Sequence, residues 1–485
     1  MPLTNLQGKH VDKYRFFRNF LSHNRSALNA IADMEQMYYS GRPFSLTASM
    51  VRYQELSEAA MGALYALDSL SHGKFPSLPD IFGKIEAEIS EEFNPHLSLM
   101  TTDVVLALEN VAPEMKNIVG AKTATLASIK NTLALPVPRG FAITAYAFER
   151  FLEESGLSKP IREELSKIPS LDSLHAMRRI SGTLRAMILE ATVPQSVADE
   201  IMKSYEALEK KTAKDIKIAL RSSAIGEDSE ASFAGQYASV LNVAKEDILD
   251  AYKNVVASKY SNRAINYRFQ YGLRDRETPM AVLAIEMVDA LASGVVYTLS
   301  PLPGESRAVK ISSVWGLGEY LVSGTASPDT FLVERAGALI TERTISRKEH
   351  EILSMESGGT GLVGVAEGKR DLPSIDDGAV FKLRDYGLML EEFFGAPQDI
   401  EWAIDRKGNL YILQSRPLNL PKISDDDRIV KKDYPGNPVL ISNGKTASLG
   451  IASGRIFIAR QKGDLDGIPE HAILVAKTAS PDYAR

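Results

Sequence analysis

Apolar residues recur at helical spacing through the first part of the chain. One such set is Phe17, Phe20, Leu21, Leu28 and Ile31, and a second is Met50, Tyr53, Leu56, Ala60 and Leu64. Residues spaced in this way share one face of an α-helix. Glycine-containing breaks interrupt the pattern at 41–43 and 72–74. We therefore predict a helical N-terminal domain over residues 1–112, with helix packing or partner docking as its role.

The pattern changes near residue 117, where short β-branched runs begin to alternate with helical stretches. The predicted strands lie at 216–220, 281–287, 295–299, 309–314 and 331–333, and the predicted helices at 145–155 and 246–267. The longest apolar stretch, 281–299, contains Glu286 and Asp289. A lipid-spanning helix would bury both carboxylates at high cost, so this stretch predicts core strands. Residues 113–421 thus predict one α+β domain.

A charged segment rich in proline and glycine follows at 422–438 and predicts a linker. A second β-rich stretch occupies 439–485, with strand-like runs at 440–441, 450–459 and 472–476. So short a stretch is too small for a self-sufficient core, which suggests a fragment of a longer protein. The predicted fold class is multidomain α+β.

Composition narrows the possible functions. The 485 residues are 44% hydrophobic and 24% charged, as in ordinary globular proteins, and the net charge of −6 argues against nucleic-acid binding. The chain has no cysteine, which excludes disulfides, thiolate catalysis and cysteine-ligated zinc or iron–sulfur sites. The first ten residues lack the apolar core of a signal peptide. A cytoplasmic protein is the expectation, and homo-oligomer formation remains open.

The strongest candidate for chemistry is a hairpin formed by 399–403 and 410–417. A four-residue turn at 405–408 would pair Glu401 with Ile412 and Asp399 with Gln414. Both carboxylates would then share a face with Gln414 and Arg416. Hard oxygen ligands beside a guanidinium suit a complex of Mg²⁺ with a polyphosphate. The alternative is an exposed hairpin with scattered charges.

Two further segments are candidates for phosphate binding. Gly120 begins a helix in which Lys122 could reach a phosphate at the N-terminus, although many solvated lysines occupy such positions. A strand also runs into Arg221, Ser222 and Ser223, which offer a cationic fork and two hydroxyls. The alternative for this segment is a polar loop in which Arg221 pairs with Glu227 or Asp228.

Two weaker candidates complete the set. The sequence Trp-Gly-Leu-Gly-Glu at 315–319, ending in Glu319, is equally compatible with a plain turn and a ligand loop. Glu286 stands where a predicted strand leaves the core, a generic position at which two lobes often hold an adenine.

Five segments together resemble the nucleotide-binding region of the phosphoenolpyruvate synthase and pyruvate, phosphate dikinase family. In chain order they are Gly-Ala-Lys at 120–122, Arg-Ser-Ser-Ala to Ser-Phe-Ala-Gly at 221–235, Gly-Val-Val-Tyr-Thr at 294–298, Trp-Gly-Leu-Gly-Glu at 315–319, and Asp-Ile-Glu-Trp to Gln-Ser-Arg-Pro at 399–417. The resemblance covers about 113 to 420 and implies an ATP-grasp-like architecture.

The resemblance also implies roles for individual residues. By resemblance, Lys122 and Arg221 contact the ATP phosphates, Arg416 reaches the terminal phosphates, and Glu401 and Gln414 hold Mg²⁺. Together with the candidates above, the predicted ATP-binding residues are Lys122, Arg221, Ser222, Ser223, Glu286, Glu319 and Arg416. The predicted metal ligands are Asp399, Glu401 and Gln414. Residues 439–485 resemble the start of the family's swivelling phosphohistidine domain. The family's carrier-histidine segment is absent, because none of the seven histidines has its sequence context.

Several departures indicate a divergent member. Ile225 and Gly226 stand where an Ala-Thr-Ala-Glu-Asp pattern has its Thr-Ala, Glu286 replaces a glutamine, Tyr297 replaces a phenylalanine, and the helical N-terminal region is an addition. We expect the nucleotide-binding part of a phosphoenolpyruvate synthase-like phosphotransferase, with ATP and Mg²⁺ bound here and pyruvate bound by a missing domain. On its own the chain should bind ATP without turnover. The alternatives are the same chemistry with an antibiotic or glucan acceptor, and a non-catalytic ATP-sensing scaffold.

Overall fold

The structure is a computed structural model that mixes helices and sheets, as the sequence predicts. It describes residues 4–39, 46–93, 102–167, 174–226, 237–270, 273, 275–299, 308–322, 327–418, 453–459, 468–469 and 471–476. The predicted linker at 422–438 lies outside these residues, and so do Glu227, Asp228 and the Ser-Phe-Ala-Gly segment.

The N-terminal region is helical, as predicted. It contains α1 (Thr4–Tyr39), α2 (Leu46–Ser71) and α3 (Leu78–Phe93). Helix α1 packs along α2, and α3 packs on α2. The helical prediction is wrong at one place, since Val105–Ala107 form strand β1. The physical reason is a sheet edge, because Val105 pairs with Ile143 of the neighbouring strand.

The next elements build a five-stranded antiparallel sheet and the helices that cover it. After β1 the chain forms α4 (Lys116–Val119), α5 (Ala121–Asn131), β2 (Gly140–Ile143), α6 (Ala145–Glu154), α7 (Ser158–Leu165), α8 (Leu174–Glu190), α9 (Gln195–Lys211), β3 (Ile218–Ala224), β4 (Ser239–Val243), α10 (Ile248–Ser258), α11 (Asn262–Gln270) and β5 (Met280–Glu286). The strand order is β1-β2-β5-β3-β4. Helices α6, α8, α9 and α10 share one buried apolar cluster with this sheet.

The predicted helix at 246–267 is broken in the structure between α10 and α11. The break follows from a buried charge cluster. The ammonium group of Lys259 is fully buried and lies 2.5 Å from the Asp275 carboxylate, while Arg268 donates to the Lys259 carbonyl at 2.6 Å. Burial lowers the pKa of Lys259 to about 8, although the negative charge of Asp275 acts to raise it. Uniform helical spacing in the sequence does not reveal such a contact.

The second sheet has six antiparallel strands. Its region contains β6 (Ala290–Tyr297), β7 (Ala308–Trp315), α12 (Glu319–Val322), β8 (Asp329–Glu334), β9 (Ile340–Thr344), β10 (His350–Ser354), β11 (Thr360–Gly364), α13 (Asp377–Phe394), β12 (Gln398–Asp405) and β13 (Leu410–Pro417). The sheet order is β13-β12-β6-β7-β8-β9, and β10 pairs only with β11 among the described strands. Helix α13 begins at an Asp376 cap and ends at Gly395 in the left-handed conformation.

The stretch 281–299 forms most of β5 and all of β6, which confirms the prediction of core strands. In the part of the chain that the structure describes, no helix combines the length and apolar character needed to cross a bilayer. Beyond the predicted linker, β14 (Ile456–Ala459) and β15 (Ile473–Ala476) pair in parallel.

Candidate functional site

A cavity of about 650 Å³ lies between the two sheets. One wall comes from β3, β4 and β5, and the other comes from β6, β12 and β13, with the loop before α12 at its margin. Cavities of roughly 300–1,000 Å³ commonly hold small ligands. The cavity contains eight of the ten predicted site residues: Lys122, Arg221, Ser222, Glu286, Glu319, Glu401, Gln414 and Arg416. Ser223 and Asp399 lie behind its wall.

The hairpin of β12 and β13 has a different register from the predicted one. Glu401 pairs with Gln414, and Asp399 pairs with Arg416. One cause is a five-residue loop, in which the Asp405 carboxylate accepts from the backbone N–H groups of Lys407 and Asn409, each at 2.8 Å. The other is a bulge between residues 401 and 402 that leaves Leu413 without a pairing partner.

The two shifts leave the predicted face intact. Side chains alternate across a strand, so one extra residue at Leu413 turns Gln414 and Arg416 to the side of Glu401. Trp402 and Ile412 point to the opposite side, where both are buried in the apolar core. The four predicted polar residues therefore share one face, although the predicted pairing was wrong.

Arg221 joins the two walls of the cavity. From β3 its guanidinium donates to Glu401 Oε2 at 2.6 Å, to Gln414 Oε1 at 3.1 Å and to the carbonyl of the bulge residue Leu413 at 3.1 Å. Burial disfavours the charged carboxylate of Glu401, but Arg221, with Lys122 and Arg416 nearby, outweighs it and lowers the Glu401 pKa. Arg221 thus forms its ion pair with Glu401.

Asp399 orients Arg416 at the same end of the cavity. The Asp399 Oδ2 atom accepts from Arg416 Nε at 2.9 Å and from Arg416 Nη2 at 2.6 Å. Burial raises the pKa of Asp399, and Arg416 offsets only part of that effect. Asp399 is 8% exposed and stands behind the arginine. This position suits an anchor for Arg416 better than the predicted metal ligand.

Lys122 enters the cavity from the turn that begins α5. Gly120 has a φ of +76°, and a Cβ atom on it would lie 2.0 Å from the Ser223 carbonyl oxygen. The Ser223 hydroxyl donates to the Val119 carbonyl at 2.8 Å and accepts from the Thr123 N–H at 3.2 Å. Ser223 therefore fixes this turn against β3, which is a different contact from the predicted one with phosphate.

Part of the cavity lining is apolar. Met287, Val288 and Leu317 line the cavity and pack in one apolar cluster with Ala403 and Leu413. Ile285 also lines it, next to Glu286 at the end of β5. Glu319, in the first turn of α12, lies at the rim and accepts from the Thr360 hydroxyl at 3.0 Å. We term this apolar part of the lining the apolar end, and the part where Lys122, Arg221 and Arg416 surround Glu401 the cationic end.

The β10–β11 hairpin ties the two walls together beside the cavity. It is anchored to the second sheet by the Leu317 N–H, which donates to the Ile352 carbonyl at 2.8 Å. At its tip the Asn242 amide donates to the carbonyls of Met355 at 2.7 Å and Gly359 at 2.6 Å. Asn242 belongs to β4 of the first sheet and has a φ of +55°, a conformation that asparagine tolerates better than most residues.

We expect Asn242→Gly to release this hairpin, because glycine keeps the positive φ at no cost and removes both amide hydrogen bonds. Hydrogen–deuterium exchange of 350–364 should speed up by roughly tenfold, which corresponds to the loss of about one net hydrogen bond. Asn254→Ala is the control, since among the described residues that amide donates to the Asp250 carbonyl on its own helix. Unchanged exchange in Asn242→Gly would show that the hairpin is held by its other contacts.

Sequence reasoning missed several residues that the fold brings to the site. Arg263 lines the cavity from α11, and Ser293 lines it from β6 while its hydroxyl donates to the Gly316 carbonyl at 2.7 Å. Neither belongs to a recognisable spacing pattern. The positive φ of Asn242 leaves no signal in the sequence either.

The residues at the cationic end fit a magnesium site that is completed by a ligand. Among the described residues, no group of three or more His, Cys, Asp or Glu side chains could hold a metal. Glu401 and Gln414 supply two hard oxygen donors from paired positions. Mg²⁺ commonly takes one or two protein carboxylates and completes its shell with waters and phosphate oxygens.

Comparison with known proteins gives concordant results. The family model described as "Pyruvate phosphate dikinase, AMP/ATP-binding domain" matches residues 116–435. The probable phosphoenolpyruvate synthase of Methanothermobacter thermautotrophicus is 34% identical over 399 residues, which cover 81% of this chain and 57% of that protein. The probable phosphoenolpyruvate synthase of Methanocaldococcus jannaschii is 34% identical over 378 residues, which cover 77% of this chain and 32% of that protein.

The phosphoenolpyruvate synthase of Pyrococcus furiosus is 31% identical over 406 residues, covering 75% of this chain and 49% of that enzyme. The chain thus spans about half the length, or less, of these relatives. The matched family segment contains every residue of the cavity, and it begins after the three N-terminal helices.

Proposed function

The chain belongs to the family of the pyruvate phosphate dikinase AMP/ATP-binding domain, and from that premise we propose that its cavity binds Mg-ATP. One observation carries the proposal. A single cavity joins an apolar end around Ile285 and Leu317 to a cationic end containing Lys122, Arg221 and Arg416. A nucleotide has the same polarity, with a flat base at one end and phosphates at the other.

In this proposal the cationic end holds the phosphates. Lys122 supplies a point charge from the start of α5, and Arg416 presents the part of its fork that Asp399 leaves open. Ser222 adds a hydroxyl from β3. Asp399 acts through Arg416 by fixing its orientation, and Ser223 acts through the turn that carries Lys122.

Glu401 and Gln414 are the proposed magnesium ligands. Mg²⁺ held there would neutralise phosphate charge and orient the terminal phosphates. Arg221 holds both side chains in place from the opposite wall, and the lowered pKa of Glu401 keeps its carboxylate charged at neutral pH.

The apolar end is the proposed adenine pocket. Ile285, Met287 and Leu317 would offer apolar surface to the base, and the Glu286 carboxylate, which lines the same cavity, would accept from an exocyclic amine. An ATP-grasp-like architecture, with the nucleotide held between two antiparallel sheets, is part of the same proposal. The β10–β11 hairpin would then help to keep the two walls closed around the nucleotide.

The complete protein is proposed to be a phosphoenolpyruvate synthase-like phosphotransferase. Its carrier histidine would take phosphate from ATP and pass it to pyruvate. Residues 439–485 would begin the swivelling domain that bears this histidine, beyond the linker at 422–438. The names of the relatives support pyruvate as acceptor. Another acceptor, such as an antibiotic or a glucan, leaves the cavity of this chain unchanged.

We expect Arg416→Ala to weaken Mg-ATP binding by about 1.5–3 kcal/mol, because a charge-assisted phosphate contact is lost. Isothermal titration of the chain with Mg-ATP measures the change. Arg384→Ala is the matched control, because that arginine lies outside the cavity and bonds Asp385 and a loop carbonyl.

AMP separates the proposed roles within the nucleotide. It lacks the terminal phosphates, so its affinity should change little in Arg416→Ala. Equal affinity of wild type and Arg416→Ala for Mg-ATP would reject the role of this arginine. An equal loss for AMP and Mg-ATP would place the arginine against another part of the nucleotide.

A further inference from the structure

Helix α1 carries an uncovered apolar stripe, which we term the outer stripe. Its members are separated by three, four or seven residues and are between 41% and 70% exposed: Tyr14, Phe17, Leu21, Leu28, Ile31 and Tyr38. The spacing follows the a and d positions of a heptad over three and a half repeats, in which Asn24 and Glu35 occupy the two remaining positions. Isolated apolar side chains on a surface are ordinary, but a row of six on one side of a helix marks an interaction surface.

The stripe is distinct from the face that α1 uses within its own chain. Phe16, Phe20, Ala27 and Ala30 are all less exposed, and they lie on the adjoining face, where α1 packs along α2. The apolar arc of α1 therefore covers about half of its circumference, and α2 covers only part of it. A helix with so wide an apolar arc normally has neighbours on both parts.

We propose that a second copy of this chain covers the outer stripe, with the two α1 helices antiparallel. Charge along the helix favours this occupant and this orientation. Between residues 4 and 25 the helix carries five basic residues, Lys9, Lys13, Arg15, Arg18 and Arg25, and one acidic residue, Asp12. Between 26 and 39 it carries Asp33 and Glu35 and no basic residue. A parallel copy would oppose like charges, whereas an antiparallel copy opposes unlike ones.

One register aligns most of the apolar positions and brings opposite charges together. A two-fold axis at residue 26 places Tyr14 opposite Tyr38 of the second copy and Leu21 opposite Ile31, and it places the polar residues Asn24 and Glu35 opposite Leu28 and Phe17. The same axis brings Arg18 next to Glu35. The two α1–α2 pairs would then form a four-helix bundle with an isologous interface.

The surface lies outside the part of the chain that the family model matches. The pairing therefore adds an association function to the nucleotide site, and it stands whether or not the cavity binds ATP. It would hold two nucleotide-binding units together through their N-terminal helices.

Light scattering coupled to gel filtration tests the pairing on the whole chain. Wild type should elute at twice the 53.2 kDa of one chain, and Leu21→Glu should elute as a monomer with unchanged helix content by circular dichroism. Ser22→Glu is the matched control, because this exposed neighbour lies outside the stripe and should remain dimeric. A monomeric wild type overturns the proposal, and so does a Leu21→Glu dimer.

Charge reversal tests the orientation. Arg18→Glu and Glu35→Arg should each raise the dimer dissociation constant by roughly tenfold or more, because each brings like charges together. The double variant restores the opposite charges and should return most of the affinity. Two weakened single variants without recovery in the double variant would contradict the antiparallel register.

Cysteine cross-linking gives an independent measure, because the chain contains no cysteine of its own. Residues 14 and 38 of one straight helix are about 36 Å apart, far beyond the roughly 7 Å limit between the Cα atoms of a disulfide. The double variant Tyr14→Cys and Tyr38→Cys should therefore oxidise to a covalent dimer. Tyr14→Cys alone should not, and a dimer from this single variant would indicate parallel helices.

Discussion

Replacement of Arg221 by methionine should abolish tight binding of Mg-ATP. The guanidinium holds the Glu401 carboxylate, the Gln414 amide and the Leu413 carbonyl at once. Methionine keeps an apolar stem and removes all three contacts, so both proposed magnesium ligands lose their fixed positions. We expect at least a 100-fold weaker affinity by calorimetry, or about 2.7 kcal/mol.

The same substitution should also destabilise the fold, by about 2–3 kcal/mol in urea unfolding. The carboxylate of Glu401 would stay in its partly buried position without its strongest partner. Arg406→Met is the matched control, because the Arg406–Asp289 pair is more than half exposed on both sides. Such surface pairs contribute about 0–1 kcal/mol. Equal losses in the two variants would show that Arg221 is an ordinary surface charge.

Replacement of Gly120 by alanine should strongly destabilise the protein. The added Cβ would lie 2.0 Å from the Ser223 carbonyl oxygen and 2.3 Å from its hydroxyl oxygen. The residue would also have to keep a φ of +76°. Backbone strain and overpacking together predict a loss of roughly 3–5 kcal/mol in the free energy of unfolding.

Gly156→Ala separates strain from the steric clash. Gly156 has a φ of +67°, and an added Cβ would have no neighbour within 4 Å beyond the adjoining residues of the chain. We expect this variant to lose only about 1 kcal/mol, from the left-handed backbone alone. Urea unfolding of both variants measures the difference. Equal losses would mean that α5 moves aside freely, and that Ser223 does not fix the position of Lys122.

The sequence was most informative where a local rule decides the outcome. The two-residue period of β-strands placed Asp399, Glu401, Gln414 and Arg416 on one face, and they share it in the structure. The same rule could not supply the register. That depends on how the Asp405 side chain closes the loop and on the bulge at Leu413, which are local contacts without a periodic signal.

Contacts between distant segments could not be predicted from the sequence. Arg221 and Glu401 are 180 residues apart and meet only because two sheets enclose the cavity. The hydroxyl of Ser223 turns to the Val119 carbonyl for the same reason. The break at Lys259 also depends on a partner, Asp275, from outside the two helices. In each case the residue type was informative, and its partner was set by tertiary packing.

A calorimetric titration of this chain with ATP, with and without Mg²⁺, tests the nucleotide site most directly. The proposed site predicts saturable binding of one ATP per chain, with Mg²⁺ raising the affinity and Glu401→Gln removing most of that increase. It also predicts about 2.7 kcal/mol of added stability at a ligand concentration 100 times Kd. An absence of binding with and without Mg²⁺, in a chain that is folded by circular dichroism, would contradict the proposal.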